Sequence, residues 1–308
     1  MKTSQVNLAD LAASVVVVPP LARNPDLTLS RLENKKLISH IENGGASTLL
    51  YGGNANFYHI PLSEYAETLE FLAEAVDENT WVIPSAGPDY GRLMDHASIL
   101  REQHFPTVMA LPNSSPGTPE GITVGLRRFA EKFQRPIVLY IKRAHYVSPQ
   151  AVKQLVDDGI VFAVKYAVVC EDPGQDDFLR QLLEHVDPRR IMSGLGELPA
   201  VVHLRDFGLS TFTTGSGTIA PRASGALLNA LENKNYEEAE EVRAAFLPLE
   251  NCRNKINPIR VLHDAVTLCG IANTGPILPL LHNIEERDCR EVEAAARQLL
   301  AYEEATGG

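Results

Sequence analysis

The sequence has no hydrophobic run long enough to cross a membrane. The longest apolar stretch near the N-terminus is Val15 to Val18, which two prolines close, whereas a spanning helix needs about 20 apolar residues. The residues before it, Met1 to Ser14, carry Asp10 and one lysine and do not form the basic leader of a secretory signal. We therefore expect a soluble, cytoplasmic protein without a membrane partner.

Positive charge is also scarce. The chain has 28 Lys and Arg against 39 Asp and Glu, which gives a formal net charge of -11. Such a surplus of acids repels the phosphates of nucleic acids, so we expect no nucleic-acid partner. Four cysteines in 308 residues, with no C-x-x-C pair, do not suggest a disulfide framework, and we expect them to be reduced.

Motifs for metal and serine chemistry are missing as well. The nine histidines include no H-x-H and no H-E-x-x-H, so the sequence predicts no catalytic metal, and we expect no cofactor. The segment Gly215-Ser216-Gly217 lacks the G-x-S-x-G frame of a nucleophile elbow. There is no solenoid-type repeat and no low-complexity segment that would mark a flexible linker.

What the sequence does contain is an alternation of short β-branched runs with segments of helical periodicity. The predicted strands are Ser14 to Val18, Ser47 to Tyr51, Trp81 to Ser85, Thr107 to Leu111, Ile137 to Ile141, Val161 to Tyr166, Arg190 to Ser193 and Leu209 to Thr213. The predicted helices between them are Leu32 to Ile41, Ser63 to Val76, Tyr90 to Gln103, Gly121 to Phe133, Pro149 to Val156, Phe178 to Val186 and Pro199 to Phe207. Eight such units in about 230 residues favour an α/β fold of the (β/α)8 TIM-barrel type. An open doubly wound sheet is the alternative, although it normally stops nearer six strands.

The chain after the eighth strand reads as helix only. Ala223 to Leu231 would close the barrel, and the remainder from Tyr236 onward is broken into two or three helices by Pro258 and by the stretch from Gly270 to Pro279. We therefore predict a barrel over residues 1–232 and a C-terminal helical extension over residues 233–308.

Lys165 is the first candidate for chemistry, because the active site of such a barrel lies at the carboxyl ends of its strands. It is the one charged residue in a run from Val161 to Val169 that is otherwise apolar apart from a tyrosine. Desolvation would lower its pKa toward the neutral amine, the form that attacks a carbonyl carbon. A lysine at a solvated strand end, or one paired with a core carboxylate, is the alternative interpretation.

Tyr140 ends the fifth predicted strand, one strand away from Lys165. A phenol near the lysine nitrogen suits both the loss of water from a carbinolamine and the movement of a proton at the neighbouring carbon. The alternative is a core tyrosine whose hydroxyl binds a backbone carbonyl.

Two glycine-rich turns follow strands at the same end of the barrel. In the first, Gly52 and Gly53 allow close approach and positive φ, so the N–H groups of Gly53 and Asn54 could hold a carboxylate. A tight turn that needs glycine for its dihedral angles is an equal alternative. The second turn, from Gly215 through Ser216 to Gly217, lies where barrels often bind anions.

Together these residues resemble the family of dihydrodipicolinate synthase and N-acetylneuraminate lyase, over nearly the whole chain. The most specific elements are Tyr140 and Lys165, followed by GLGELPA from Gly194 and GSGTIA from Gly215. The resemblance implies a barrel with helical extension, a homotetramer, and a class I lyase in which Lys165 forms an imine with a small-molecule 2-keto acid while Tyr140 moves protons.

The sequence departs from the family in three loops. The turn G-T-T-G-E is replaced by the sequence from Gly52 to Asn56, which lacks the hydroxyls that bind the keto-acid carboxylate. The fourth-strand loop, Leu111 to Ser115, lacks the relay tyrosine and offers Ser114 as a substrate contact. After Tyr140 the family's Y-N-x-P is absent, and Arg143 is matched to the substrate-binding arginine.

These departures favour an aldolase or dehydratase acting on pyruvate or on a 2-keto-3-deoxy sugar acid. Glu197 would lie near a polyhydroxylated substrate, although a glutamate stabilised by the dipole at a helix N-terminus explains it equally well. Two alternatives remain open: dihydrodipicolinate synthase proper, or a barrel that has lost turnover and serves as a binding or regulatory protein.

Overall fold

A nearly closed barrel of parallel strands forms the centre of the molecule. The computed structural model describes residues 1–114 and 117–307, so Ser115 and Gly308, which two of the predictions above include, lie outside the described residues. The strands in this part of the chain are β1 (Val16–Val17), β2 (Thr48–Leu50), β3 (Trp81–Ile83), β4 (Ser85–Ala86), β5 (Val108–Ala110), β6 (Ile137–Ile141), β7 (Val161–Tyr166), β8 (Ile191–Ser193) and β9 (Thr211–Thr214). Their order is β3-β2-β1-β9-β8-β7-β6-β5-β4, with every pair parallel.

The third predicted strand is divided by Pro84 into β3 and β4. Proline has no N–H to donate, so the ladder is interrupted there. The carbonyls on either side still pair, because Tyr51 N–H donates to Ile83 O at 3.0 Å and Met109 N–H donates to Pro84 O at 2.8 Å. The two short strands therefore continue the sheet from β2 to β5, and together they take the place of one of the eight strands of the barrel. The predicted TIM barrel is confirmed.

Helices follow the strands in the order that the periodicity predicts. In the described residues they are α1 (Leu8–Ala12), α2 (Arg31–Asn43), α3 (Leu62–Ala75), α4 (Tyr90–Arg101), α5 (Pro119–Phe133), α6 (Pro149–Asp157), α7 (Asp177–Leu183), α8 (Glu197–Phe207), α9 (Pro221–Glu232), α10 (Tyr236–Lys255), α11 (Pro258–Leu268) and α12 (Glu286–Thr306). Short α1 was not predicted. Its sequence signal is a capping box. The Asn7 side chain accepts a hydrogen bond from Asp10 N–H, and the Asp10 carboxylate accepts one from Asn7 N–H.

Local sequence explains where these helices begin and which face they bury. In α6, the Ser148 hydroxyl accepts a hydrogen bond from Ala151 N–H at 3.2 Å, and Pro149 occupies the first position. In α5, the buried residues recur at helical spacing on one face, so this helix packs that face against the barrel. They are Leu126, Phe129, Ala130 and Phe133.

The three helices after α9 pack against the barrel and one another, and we call α10, α11 and α12 the helical extension. Pro258 begins α11, and the non-helical segment between α11 and α12 includes the stretch from Gly270 to Pro279, as the sequence predicts. The domain boundary at residue 232 stays a prediction. Within the described residues, none of the helices has the length and apolar character to cross a membrane.

A buried carboxylate fastens the extension to the barrel. Glu303 of α12 is 1% exposed, and its two oxygens accept hydrogen bonds from Arg222 N–H and Ala223 N–H, both at 3.0 Å. These amides belong to the first turn of α9, where a helix has unpaired donors and a positive dipole end. The contact therefore satisfies two backbone groups that would otherwise be buried without partners.

We predict that Glu303→Ala lowers the free energy of unfolding by about 2 to 3 kcal/mol, because two backbone hydrogen bonds to a carboxylate and its ion pair with the half-exposed Arg222 guanidinium are lost. Urea unfolding followed by circular dichroism measures the change. The matched control is Glu304→Ala, since Glu304 is the next residue on α12 and is exposed. Equal stability of the two variants would contradict a fastening role for Glu303.

Candidate active site

A cavity of about 300 Å³ opens at the carboxyl ends of the strands, where the active site of a TIM barrel lies. The ends of β1, β2, β6, β7, β8 and β9 contribute to it, and so does the helical extension. Its lining consists of Val18, Gly53, Asn54, Tyr140, Lys142, Lys165, Ala167, Val169, Gly194, Leu195, Gly196, Thr213, Gly215, Glu250, Arg253, Asn254, Pro258 and Ile259. The structure thus brings five of the predicted site residues to one cavity: Gly53, Asn54, Tyr140, Lys165 and Gly215.

Lys165 is buried in β7 and is 6% exposed. No ion pair joins it to a carboxylate among the described residues, so neither a solvated strand end nor a core ion pair describes its position. Burial lowers the pKa of Lys165 to about 7, with the nearby charges of Lys142 and Arg253 acting in the same direction. At neutral pH a large fraction of the amine is therefore unprotonated and nucleophilic.

Tyr140 lies directly beside Lys165 because β6 and β7 are in register at these two residues. The lysine Nζ is 4.8 Å from the centroid of the phenol ring, which provides a cation–π contact for the protonated form. Burial raises the pKa of Tyr140 to about 12, so its hydroxyl keeps its proton at neutral pH. In the part of the chain that the structure describes, no hydrogen bond involves this hydroxyl, which differs from the core-tyrosine alternative.

The turn after β2 differs from the sequence expectation in its backbone. Neither Gly52 nor Gly53 has positive φ, and the left-handed residue is Asn56 at φ 54°. A Cβ on Gly52 would lie 2.8 Å from the Met109 methyl carbon, so the end of that side chain would have to move. A Cβ on Gly53 would meet its nearest protein atom, in Tyr58, at 3.8 Å, so packing within the protein does not require glycine at this position.

The amides of this turn nevertheless remain available. Asn54 is anchored through its side chain, whose Nδ2 donates to Val18 O at 2.7 Å and ties the turn to the end of β1. Within the described residues, the N–H groups of Gly53 and Asn54 donate no hydrogen bond, and both residues line the cavity. Two adjacent donors of this kind suit a carboxylate oxygen.

The second glycine-rich turn lies mostly beneath the cavity. Ser216 and Gly217 are buried and do not belong to the lining, and the Ser216 hydroxyl and the Gly217 N–H both have partners. Ser216 Oγ donates to Glu250, and Gly217 N–H donates to Thr214 Oγ1 at 2.6 Å. Of the three residues of this turn, Gly215 alone lines the cavity, and anion binding there stays a prediction.

Glu197 is also beneath the cavity and is fully buried at the first position of α8. One of its oxygens accepts from the hydroxyls of Thr214 and Ser224. Burial, reinforced by the charge of Glu250, raises the pKa of Glu197 to about 8. The structure therefore places Glu197 in a buried polar network and not on the cavity lining.

Ser114 and Arg143 line a neighbouring cavity of about 410 Å³. It is bounded further by Tyr58, Pro112, Asn113, Lys142 and Tyr146. The guanidinium of Arg143 lies over the Tyr146 ring at 5.5 Å from its centroid. Lys142 lines both cavities, so Ser114 and Arg143 lie near the Lys165 cavity without forming its wall.

Sequence reasoning missed the contribution of α10. Glu250 and Arg253 are buried, and Arg253 Nη1 donates to Glu250 Oε1 at 2.6 Å. A signal was present: buried positions of α10 recur as Ala239, Val242 and Phe246, and the same helical spacing continues to Glu250 and Arg253. Two opposite charges on the apolar stripe of a helix indicate a function or a buried partner.

Within the described residues, no group of three or more His, Cys, Asp or Glu side chains has an arrangement that could hold a metal ion. No protein-family model and no curated protein sequence matches the chain.

Solved structures do match it over nearly its whole length. Dihydrodipicolinate synthase from Bacillus clausii has a TM-score of 0.81 at 20% identity, covering 93% of this chain and 98% of that one. YagE, an E. coli K12 prophage protein of the dihydrodipicolinic acid synthase family solved in complex with pyruvate, has a TM-score of 0.82 at 18% identity, with coverages of 93% and 98%. A Bacillus anthracis dihydrodipicolinate synthase gives 0.82 at 14% identity, with coverages of 92% and 97%. The chain therefore has the fold of these synthases.

The lowered pKa of Lys165 predicts a pH dependence of its reactivity. Brief acetylation with acetic anhydride, read by peptide mass spectrometry, should increase about tenfold per pH unit below pH 7 and level off above it, because the neutral amine reacts. Lys255 is an internal control, since its ion pair with Glu291 raises its pKa and its acetylation should still rise at pH 9.

A second arm tests the cause of the shift. Lys142→Met removes a like charge near Lys165, so the pKa of Lys165 and the midpoint of its acetylation should rise. A Lys165 profile that climbs through pH 9 in the unaltered protein would show that the amine is not desolvated.

Proposed function

We propose that this chain is a member of the dihydrodipicolinate synthase and N-acetylneuraminate lyase family and acts as a Schiff-base-forming lyase on a 2-keto acid. One observation carries the proposal: an amine with a pKa near 7, on Lys165, lies beneath the ring of Tyr140 in a cavity at the carboxyl ends of the barrel strands. The likeness in fold to YagE, whose crystals contain pyruvate, supports the choice of substrate class.

The reaction begins with the neutral amine of Lys165. Its nitrogen attacks the keto carbon, a C–N bond forms, and a proton moves from nitrogen to the former carbonyl oxygen to give a carbinolamine. Loss of water then gives the imine. The phenol of Tyr140, which holds its proton at neutral pH, donates to the departing hydroxyl group. The protonated imine finally accepts the electron pair of the C3–H or C3–C4 bond and becomes an enamine. In the first case the C3 proton passes to the phenolate left on Tyr140, and in the second that phenolate takes the proton of the C4 hydroxyl as C4 leaves as a carbonyl group.

The carboxylate of the keto acid would lie on the N–H groups of Gly53 and Asn54. These donors are unpaired within the described residues and belong to a turn fixed to β1 by the Asn54 side chain. Main-chain donors replace the hydroxyls that this turn lacks. Ser114 and Arg143 would contact a substrate that extends past Lys142 into the neighbouring cavity.

Aldol cleavage and dehydration both fit this site, and pyruvate or a 2-keto-3-deoxy sugar acid is the expected substrate. Dihydrodipicolinate synthase activity proper has less support, because the turn from Gly52 to Asn56 lacks the hydroxyls of the family pattern. A binding protein without turnover has less support too, since holding an amine out of water serves nucleophilic chemistry and weakens stability.

We predict that pyruvate and sodium borohydride leave a reduced adduct on Lys165 and that Lys165→Met abolishes it. Intact-protein mass spectrometry measures the adduct and peptide mapping locates it. Lys153→Met is the matched control, because Lys153 is a half-exposed lysine of α6 that pairs with Asp157. Should the label map to another lysine, or persist in Lys165→Met, the proposed function would be refuted.

We further predict that Tyr140→Phe preserves the adduct and slows proton movement. The ring contact with Lys165 remains, but the donor is gone, so exchange of the pyruvate C3 protons with solvent deuterium should slow by about 100-fold or more. Nuclear magnetic resonance follows the exchange. Tyr236→Phe, on α10 beneath Arg205, is the control, and an unchanged exchange rate in Tyr140→Phe would assign its hydroxyl no part in proton transfer.

A further inference from the structure

The wall that α10 adds to the Lys165 cavity carries a guanidinium with a free edge. Arg253 Nη1 donates to Glu250 Oε1 at 2.6 Å, and Arg253 Nε donates to Pro258 O at 3.2 Å. In the described part of the chain, Nη2 has no hydrogen-bond partner, yet it is not among the polar atoms sealed from solvent. The side chain is 9% exposed, and that small exposure faces the cavity that Arg253 lines.

Gly215 makes room for this guanidinium. A Cβ at Gly215 would lie 2.5 Å from Arg253 Nη2 and 2.7 Å from Cζ, so any other residue would displace it. Beneath it, Ser216 and Arg253 both donate to Glu250, which is itself 3% exposed. The guanidinium is therefore held from below and from one side, and its remaining edge is pre-positioned at the cavity.

The charges on the cavity wall favour an anion. Apart from the phenol of Tyr140, four lining residues carry ionisable side chains: Lys142, Lys165, Glu250 and Arg253. Since Glu250 is already engaged by Arg253 and Ser216, the cations are in excess. A guanidinium edge in a partly dehydrated site binds carboxylates strongly and with fixed geometry.

The guanidinium and the turn after β2 approach the cavity from the ends of different strands. That turn follows β2, whereas Gly215 follows β9, and β1 lies between these strands. Neighbouring strands are about 4.8 Å apart, so the two anion sites are separated by roughly 10 Å.

We propose that Arg253 binds a second carboxylate at the far end of the substrate, so that the substrate is a 2-keto dicarboxylic acid. The inference rests on the proposed function for the position of the first carboxylate and of the imine. Arg253 is then a specificity-determining residue that the helical extension supplies to the barrel.

The test compares 2-oxoglutarate with 2-oxopentanoate, which have the same five-carbon chain and differ in the terminal carboxylate. The concentration that gives half-maximal borohydride trapping at Lys165 should be at least tenfold lower for 2-oxoglutarate. In the double variant Arg253→Met with Glu250→Gln, which leaves no unpaired buried charge, the two acids should trap at the same concentration. Glu250→Gln alone should keep the preference.

Arg243→Met is the control for loss of an arginine from the same helix, because Arg243 pairs with Glu240 on its outer side. It should keep the preference for 2-oxoglutarate. Equal trapping of the two acids by the unaltered protein, or a preference that survives in the double variant, would overturn the inference and leave the proposed function intact.

If no keto acid is trapped, the proposed function fails, and the Arg253 contact is still tested by calorimetry with glutarate and pentanoate. Tighter binding of glutarate that the double variant abolishes would support the contact. Equal binding of the two acids, or no binding of either, would overturn it.

Discussion

Placing an amine inside a wall of apolar strand residues is the constraint on which the rest of this site depends. Water stabilises an ammonium far more than the side chains around Lys165 do, and no carboxylate among the described residues pairs with it. The fall of its pKa from 10.5 to about 7 corresponds to about 5 kcal/mol in favour of the neutral form. The ring of Tyr140 lies beside Lys165 because of the strand register. When the amine is protonated, its cation–π contact with this ring replaces part of the lost hydration.

The same shift connects activity to stability. The unfolded chain binds a proton on this lysine up to about pH 10.5, whereas the folded chain releases it near pH 7. Between these values the unfolded state carries more protons, so this group makes the free energy of unfolding rise with pH. Below pH 7 the folded protein carries the whole cost. Burial of the aliphatic strand residues offsets this loss of stability, and the amine is largely unprotonated at neutral pH.

Part of this arrangement could be predicted from the sequence because it depends on local pattern. Alternation within a strand and the parallel order of strands predict that Tyr140 and Lys165 lie side by side, and the cap at Ser148 predicts where α6 begins. The division of the third strand at Pro84 could not be predicted in this way, because it depends on which carbonyls pair on either side of the proline. The features that could be predicted depend on contacts between residues that are close in the chain or in adjacent strands.

The rest could not be predicted because it depends on packing between distant segments. The direction of the turn at Ser216 is set by Glu250, 34 residues later, and a glycine-rich sequence does not indicate whether its donors face a cavity or a buried carboxylate. The sequence also does not indicate that Gly53 has room for a side chain, with the nearest protein atom 3.8 Å from a Cβ at that position.

The altered turn and the helical extension together determine which hydrogen-bond donors the cavity offers. The turn after β2 has no hydroxyl to offer, and it retains two backbone N–H groups. Arg253 adds a charged donor on the other side of β1, and it reaches the cavity because Gly215 has no side chain and because Glu250 neutralises one of its edges. A buried guanidinium without Glu250 would carry a large desolvation cost, and Glu250 without Arg253 would be a buried unpaired acid. Each member of the pair therefore offsets the desolvation cost of the other, and because α10 carries both, a helix outside the barrel forms part of the cavity wall.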